Sequence, residues 1–129
     1  MTPEEIQELR DWSARKMGWE RGPYVRQISR NHINPVAEDA YFNKQGGFVC
    51  YVKDWLPDRP ESGQIWMLVD RMRDLGWGLN YQVYQDYYVA YFQPLVRPSS
   101  ELGASYNVKA IVGIEPCLAI LKAARATEE

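Results

Sequence analysis

The chain has 129 residues, enough for one continuous hydrophobic core and too few for two. Hydrophobic residues make up 46% and charged residues 25%, a globular balance that excludes intrinsic disorder. A formal net charge of -2 supplies no global positive field, which disfavours nucleic acid or an anionic membrane as a partner.

Thr2-Pro3-Glu4-Glu5 is a helix start: Thr2 caps, Pro3 suits the first helical position and Glu5 completes a capping box. Ile6, Leu9, Trp12 and Met17 follow as an apolar stripe, and Gly18 is placed to end the helix. From Glu20 to Gly47 the signal weakens, with short strands expected near Tyr24 to Ile28 and at Tyr41-Phe42. The whole chain reads as a single domain. Gly46-Gly47 turns the chain into Phe48-Val49-Cys50-Tyr51-Val52, expected as a well-buried strand. Trp55 to Gly63 carries two prolines and reads as a loop. A second helix follows with Ile65, Trp66, Val69, Met72 and Leu75 on its buried side and Gly76 at its end.

Leu79 to Tyr84 and Tyr87 to Phe92 flank Gln85-Asp86, so a hairpin with a two-residue loop is expected. Leu79, Tyr81, Val83, Tyr88, Ala90 and Phe92 would then face the core. Asn80, Gln82, Tyr84, Tyr87, Val89 and Tyr91 would line the other face, either as an aromatic, hydrogen-bonding binding surface or beneath a covering helix. Pro94 to Gly103 reads as an exposed connection, and Tyr106, Val108, Ala110 and Val112 as the apolar side of a further strand. Pro116 opens a closing helix that offers Leu118, Ile120, Leu121 and Ala124 to the core, with a frayed tail after Ala126. The expected fold class is α+β, a mainly antiparallel sheet of four to five strands packed with three helices.

No stretch is long and apolar enough to span a membrane. Cys50 and Cys117 sit in apolar runs without paired spacing and read as small buried hydrophobes. With no signal-like apolar start, a reducing cytoplasm is the expected location. His32 is the single histidine, so a histidine-based triad has little to draw on, and the cysteines lack zinc spacing. No catalytic residue, metal ligand or cofactor site is assigned. Glu38-Asp39 and Asp54, Asp58 and Glu61 are acidic loop groups that meet no fixed ligand spacing. Arg10, Arg15, Lys16, Arg21, Arg26 and Arg30, opposed by Asp11 and Glu20, form a local basic bias beside Trp19 and Tyr24. The candidate binding residues are therefore Tyr84, Tyr87 and Tyr91 on the hairpin and Tyr24, Arg26 and Arg30 on the basic connector.

The helix ending in Met17-Gly18-Trp19, the Trp55-Leu56-Pro57 loop before a helix with Trp66 and Val69, the aromatic hairpin, and a last helix carrying Leu118-Ala119-Ile120 after Pro116 together resemble the phage alpha-beta-alpha sandwich domain of small phage and prophage proteins. That resemblance implies a single sheet with helices around it, encoded by a bacteriophage and acting in the infected bacterial cytoplasm. It carries over no catalytic residue, and residues 20–47 depart from its compact pattern as an insertion between the first helix and the buried strand.

The expected function is that of a small phage-encoded accessory protein that acts by non-catalytic binding, with a host protein or a nucleotide-like small molecule as its partner and counter-defence as a role it would suit. A homo-oligomeric interaction module using the tyrosine face as a subunit interface is the first alternative, and a metal-dependent hydrolase using the acidic loop the second.

Overall fold

The computed structural model describes residues 1–26, 36–95 and 109–128. It holds three helices, α1 (Pro3–Lys16), α2 (Ile65–Asp74) and α3 (Pro116–Ala126), and six strands, β1 (Glu20–Arg26), β2 (Val36–Phe42), β3 (Phe48–Tyr51), β4 (Trp77–Val83), β5 (Tyr88–Pro94) and β6 (Ile111–Gly113). The α+β class and the antiparallel pairing stand as read from the sequence. The strands, however, divide into two three-stranded sheets, β1-β2-β3 and β4-β5-β6, instead of one sheet of four to five.

Helix α1 begins as its sequence dictates. Glu5 N–H donates to Thr2 Oγ1 at 3.2 Å, and the Thr2 hydroxyl donates to Glu5 Oε1 at 3.2 Å. The chain leaves the helix through Gly18 at φ 88°, a left-handed conformation that a side chain would strain. Helix α1 then serves both sheets. Leu9 and Trp12 enter a core with Ile65, Leu68 and Met72 of α2, Ala90 and Phe92 of β5, and Ile120, Leu121 and Ala124 of α3. Ala14 belongs to a second core with Tyr41, Val52 and Trp55, and Met17 packs against both. Each large apolar side chain withdrawn from water in these cores contributes about 1.5–3 kcal/mol of transfer free energy.

The segment 20–47 supplies two of the three strands of the first sheet, paired from Glu20↔Phe42 to Arg26↔Val36. Pro23 is tolerated because β1 is the edge strand of that sheet. Strand β3 is not well buried as expected. It is the opposite edge, its residues are half-buried, and Phe48 is 43% exposed.

The buried stripe of α2 is Ile65, Leu68 and Met72, with Val69 packed against it, while Trp66 is 53% exposed and Leu75 is also exposed. Positions 65, 68, 69 and 72 repeat at i, i+3, i+4 and i+7, and residue 66 lies about 100° around the helix from residue 65. In β6 the facing is also the reverse of the expectation. Ile111 pairs with Ala90 and packs on the core, which turns Val112 outward at 65% exposure. The expected positions Tyr106 and Val108 lie outside the described residues. Thr127 and Glu128, expected in a frayed tail, are instead tied down: the Thr127 hydroxyl donates to Ala124 O, and the Glu128 carboxylate accepts from Trp12 Nε1 at 2.7 Å.

Candidate functional site

The β4–β5 hairpin has the register that alternation requires, from Trp77↔Pro94 through Leu79↔Phe92 and Tyr81↔Ala90 to Val83↔Tyr88. Tyr84 N–H donates to Tyr87 O at 2.9 Å, so Gln85-Asp86 is the two-residue loop. Phe92, Ala90, Leu79 and Tyr81 therefore turn toward the helices and belong to or pack on the main core, whereas Val83 and Tyr88, expected beside them, lie past its edge at the turn end of the hairpin, with Val83 65% exposed and Tyr88 half-buried. The opposite side chains point away from that core. Among the described residues, α2 and α3 pack on this sheet through the core that holds Ala90 and Phe92, α1 packs in turn on those helices, and no helix packs against the outer side chains.

Tyr84 and Tyr87, one from each end of the turn, stack on that outer face with ring centroids 4.8 Å apart and planes 16° from parallel. They are 46% and 41% exposed. The Tyr84 hydroxyl donates to Gln82 Oε1 at 2.8 Å, which fixes the ring along its own strand. Tyr91, paired with Asn80, and Val89, paired with Gln82 and Val112, extend the same face and are half-buried. On the inner side, Tyr81 and Tyr88 make a second parallel stack at 5.8 Å and 7°, and burial pushes the Tyr81 phenol up from its ordinary value.

The other sheet also carries rings on its outward face. Its register sets Tyr24 on the side of Phe42 and Tyr51. The Tyr24 ring lies 4.7 Å from Phe48, 6.3 Å from Phe42 and 6.1 Å from Tyr51, and Phe48 lies 5.1 Å from Tyr51. Lys53 Nζ sits 5.3 Å above the Tyr51 ring and 2.9 Å from Glu38 Oε1. The hydrogen bond to Glu38 holds the Lys53 ammonium above its usual pKa. Tyr24 is thus the hub of a four-ring cluster. Phe42, Phe48 and Tyr51 were not singled out in the sequence, because only the pairing of three separated strands brings them together.

Arg26 closes β1 in register with Val36, and Arg30 and His32 lie outside the described residues. Among the described residues, most of the basic groups of that stretch are tied to separate acidic partners. Arg10 makes a bidentate pair with Asp58 at 2.7 and 3.0 Å, Lys16 pairs with Glu128, and Arg21 bridges Asp11 and Asp39 at 2.8 Å each. Arg21 is held above its ordinary pKa, chiefly by the hydrogen bond from its side chain to Asp39. Tyr41 donates to Asp11 Oδ1 at 2.6 Å, and burial followed by that bond drives its phenol well above the usual range. Arg21 and Tyr41 thereby tie α1 to the first sheet, whereas Arg10 ties it to the loop that carries Asp58 and Lys16 ties it to the tail after α3.

Three of the candidate acidic residues are similarly engaged. Asp58 is committed to Arg10, Glu38 to Lys53 and Asp39 to Arg21, and no group of three metal-ligating side chains occurs among the described residues. Cys117 is buried and Cys50 half-buried, and burial pushes both thiols up. No described helix is long and apolar enough to cross a membrane.

Scans against family models, curated proteins and solved structures return no match to this chain.

Proposed function

We propose that the chain is a non-catalytic binding module that engages a host protein through the outer face of the β4–β5 hairpin. The observation that carries the reading is the stacked Tyr84–Tyr87 pair, rings outward, on a sheet face that no described helix covers. Tyrosine combines a large apolar body with a hydrogen-bonding tip, and stacking removes rotamer freedom before a partner arrives. The face is a flat strand surface continued by Tyr91, Val89 and Val112, a shape that suits a protein better than a small molecule, which favours concave sites. The resemblance to small phage proteins, carried by Met17-Gly18-Trp19, Trp55-Leu56-Pro57 and the Pro116 helix, supports an accessory phage product acting in the bacterial cytoplasm, with counter-defence as its role.

The test is affinity capture from bacterial lysate with wild type and with Tyr84→Ser/Tyr87→Ser, followed by a titration of the purified captured protein. The reading requires a partner that wild type binds and the double variant, folded to the same melting temperature, loses by at least about tenfold, the effect of one anchor worth about 1.4 kcal/mol. Equal binding by the two forms removes the hairpin face from the interface.

A nucleotide-like ligand is the second reading, favoured by the four rings around Tyr24 with the Lys53 ammonium above Tyr51, since bases stack on such rings. Thermal-shift screening with nucleotides and cyclic dinucleotides decides it, with stabilisation that disappears in Tyr24→Ser as the supporting result. Self-association through the exposed Val112 edge is the third, and mass measurement at high concentration separates it.

A further inference from the structure

The C-terminal ends of α1 and α3 meet around a cleft of about 420 Å³ lined by Trp12, Arg15, Lys16, Arg125 and Glu128. Its donors converge on one carboxylate. Glu128 Oε2 accepts from Trp12 Nε1 at 2.7 Å and from Arg125 Nη1 at 3.1 Å, and Oε1 accepts from Lys16 Nζ at 2.5 Å. Trp12 is buried, so its indole N–H is directed into the cleft from a fixed floor. Lys16 and Arg125 both stand over the indole ring, at 5.8 and 5.6 Å from its centroid, which fixes the two cations relative to the N–H donor.

Two features of this arrangement exceed what anchoring a tail needs. Among the described residues lining the cleft, three cations against one carboxylate leave two positive charges, in a chain whose net charge is -2. The Glu128 carboxylate is engaged by Trp12, Arg125 and Lys16, and the fourth donor, Arg15, is exposed and has no acidic partner among the described residues. A phosphate monoester presents three outward oxygens and a charge of about −2, which matches an indole N–H and three cationic side chains better than Glu128 does. Cations in the last turns of α1 and α3 also offset the helix dipoles, but a dipole calls for no buried indole donor.

We propose that this cleft is an anion site for a phosphate-bearing small molecule, with Glu128 seated in it as a tethered competitor. The Glu128 side chain lies two residues beyond the end of α3 and swings out when the phosphate enters. The Trp12 and Lys16 hydrogen bonds that hold its carboxyl below the usual range are those the ligand takes over. The site is separate from both aromatic faces, so its failure leaves the proposed function standing.

The experiment follows the Trp12 indole ¹H–¹⁵N resonance of the full chain during titration with inorganic pyrophosphate, with sulfate at matched ionic strength as control. Wild type is expected to show a saturable shift at Trp12. Glu128→Gln, which removes the competing charge at an exposed position, binds about tenfold more tightly, because the apparent affinity of an occluded site is lowered by the fraction of time it is open. Arg15→Gln weakens binding several-fold with an unchanged melting temperature. Equal affinities for wild type and Glu128→Gln, no saturable shift in either, or the same response to sulfate, which means an adventitious ion only, each overturn the proposal.

Discussion

Removing the Ser13 hydroxyl tests how α1 holds the first sheet. Trp55 is 1% exposed, and its Nε1 donates to Ser13 Oγ at 2.9 Å; Ser13 is fully buried, and its hydroxyl donates onward to Arg10 O at 2.7 Å. Ser13→Ala leaves the indole N–H with no acceptor and no water, which costs about 1–3 kcal/mol. Trp55→Phe removes the donor and part of the ring, and the Ser13 hydroxyl keeps its bond to the helix, so the cost of roughly 1–3 kcal/mol is mainly one of lost volume. In the double variant no donor is stranded. The two single costs should therefore exceed the double cost, with a coupling of about 1–2 kcal/mol. Urea unfolding of the four proteins measures the cycle, and Ser13→Ala alone is expected to lower the melting temperature by about 4 °C for each kcal/mol lost. A Ser13→Ala protein within about 0.5 kcal/mol of wild type, or costs that simply add, would refute the reasoning.

Asp58→Asn strands the Arg10 guanidinium, whose side chain is 15% exposed, and should destabilise the fold by about 3 kcal/mol, with Arg10→Met/Asp58→Leu recovering most of the loss in urea midpoints. Because the Glu128 carboxyl is held below its ordinary pKa by Lys16 and then Trp12, its stabilising contribution is present above the unfolded pKa and is lost as pH falls through the folded one. Wild type should therefore be more stable than Glu128→Gln at pH 7, and unfolding curves taken as the pH drops below about 4 should converge. Burial raises both thiols, so a chromogenic disulfide reagent at pH 8 should label Cys50 and Cys117 at least about tenfold more slowly in the native protein than in urea; native labelling as fast as unfolded labelling would contradict their packing.

What was legible in the sequence was local. Thr2, Pro3 and Gly18 act on their own backbone, so both ends of α1 followed from them. A strand pair closed by two residues leaves one register, so the facing of Tyr84, Tyr87 and Tyr91 followed from parity around Gln85-Asp86. What was not legible depended on partners distant in the chain. Pro23 and Gly22 obscure β1, whose pairing with β2 is what makes it a strand. Division into two sheets depends on α1 giving Leu9 and Trp12 to one core and Ala14 to the other, which an apolar stripe does not announce. Trp66 looked buried because it is large and apolar, whereas helix phase gave its place to Leu68. The ring cluster around Tyr24 and the seat of Glu128 beside Trp12 join residues from separate elements, and alternation or periodicity within one element reveals neither.

The outward hairpin face is tested most directly by hydroxyl-radical footprinting of the free monomer, read by mass spectrometry at single residues. Tyr84 and Tyr87 should be oxidised rapidly and Tyr41, buried against α1, slowly. Slow oxidation of Tyr84 and Tyr87 at the level of Tyr41 would mean that the chain covers those rings itself, and the proposed interface would be lost.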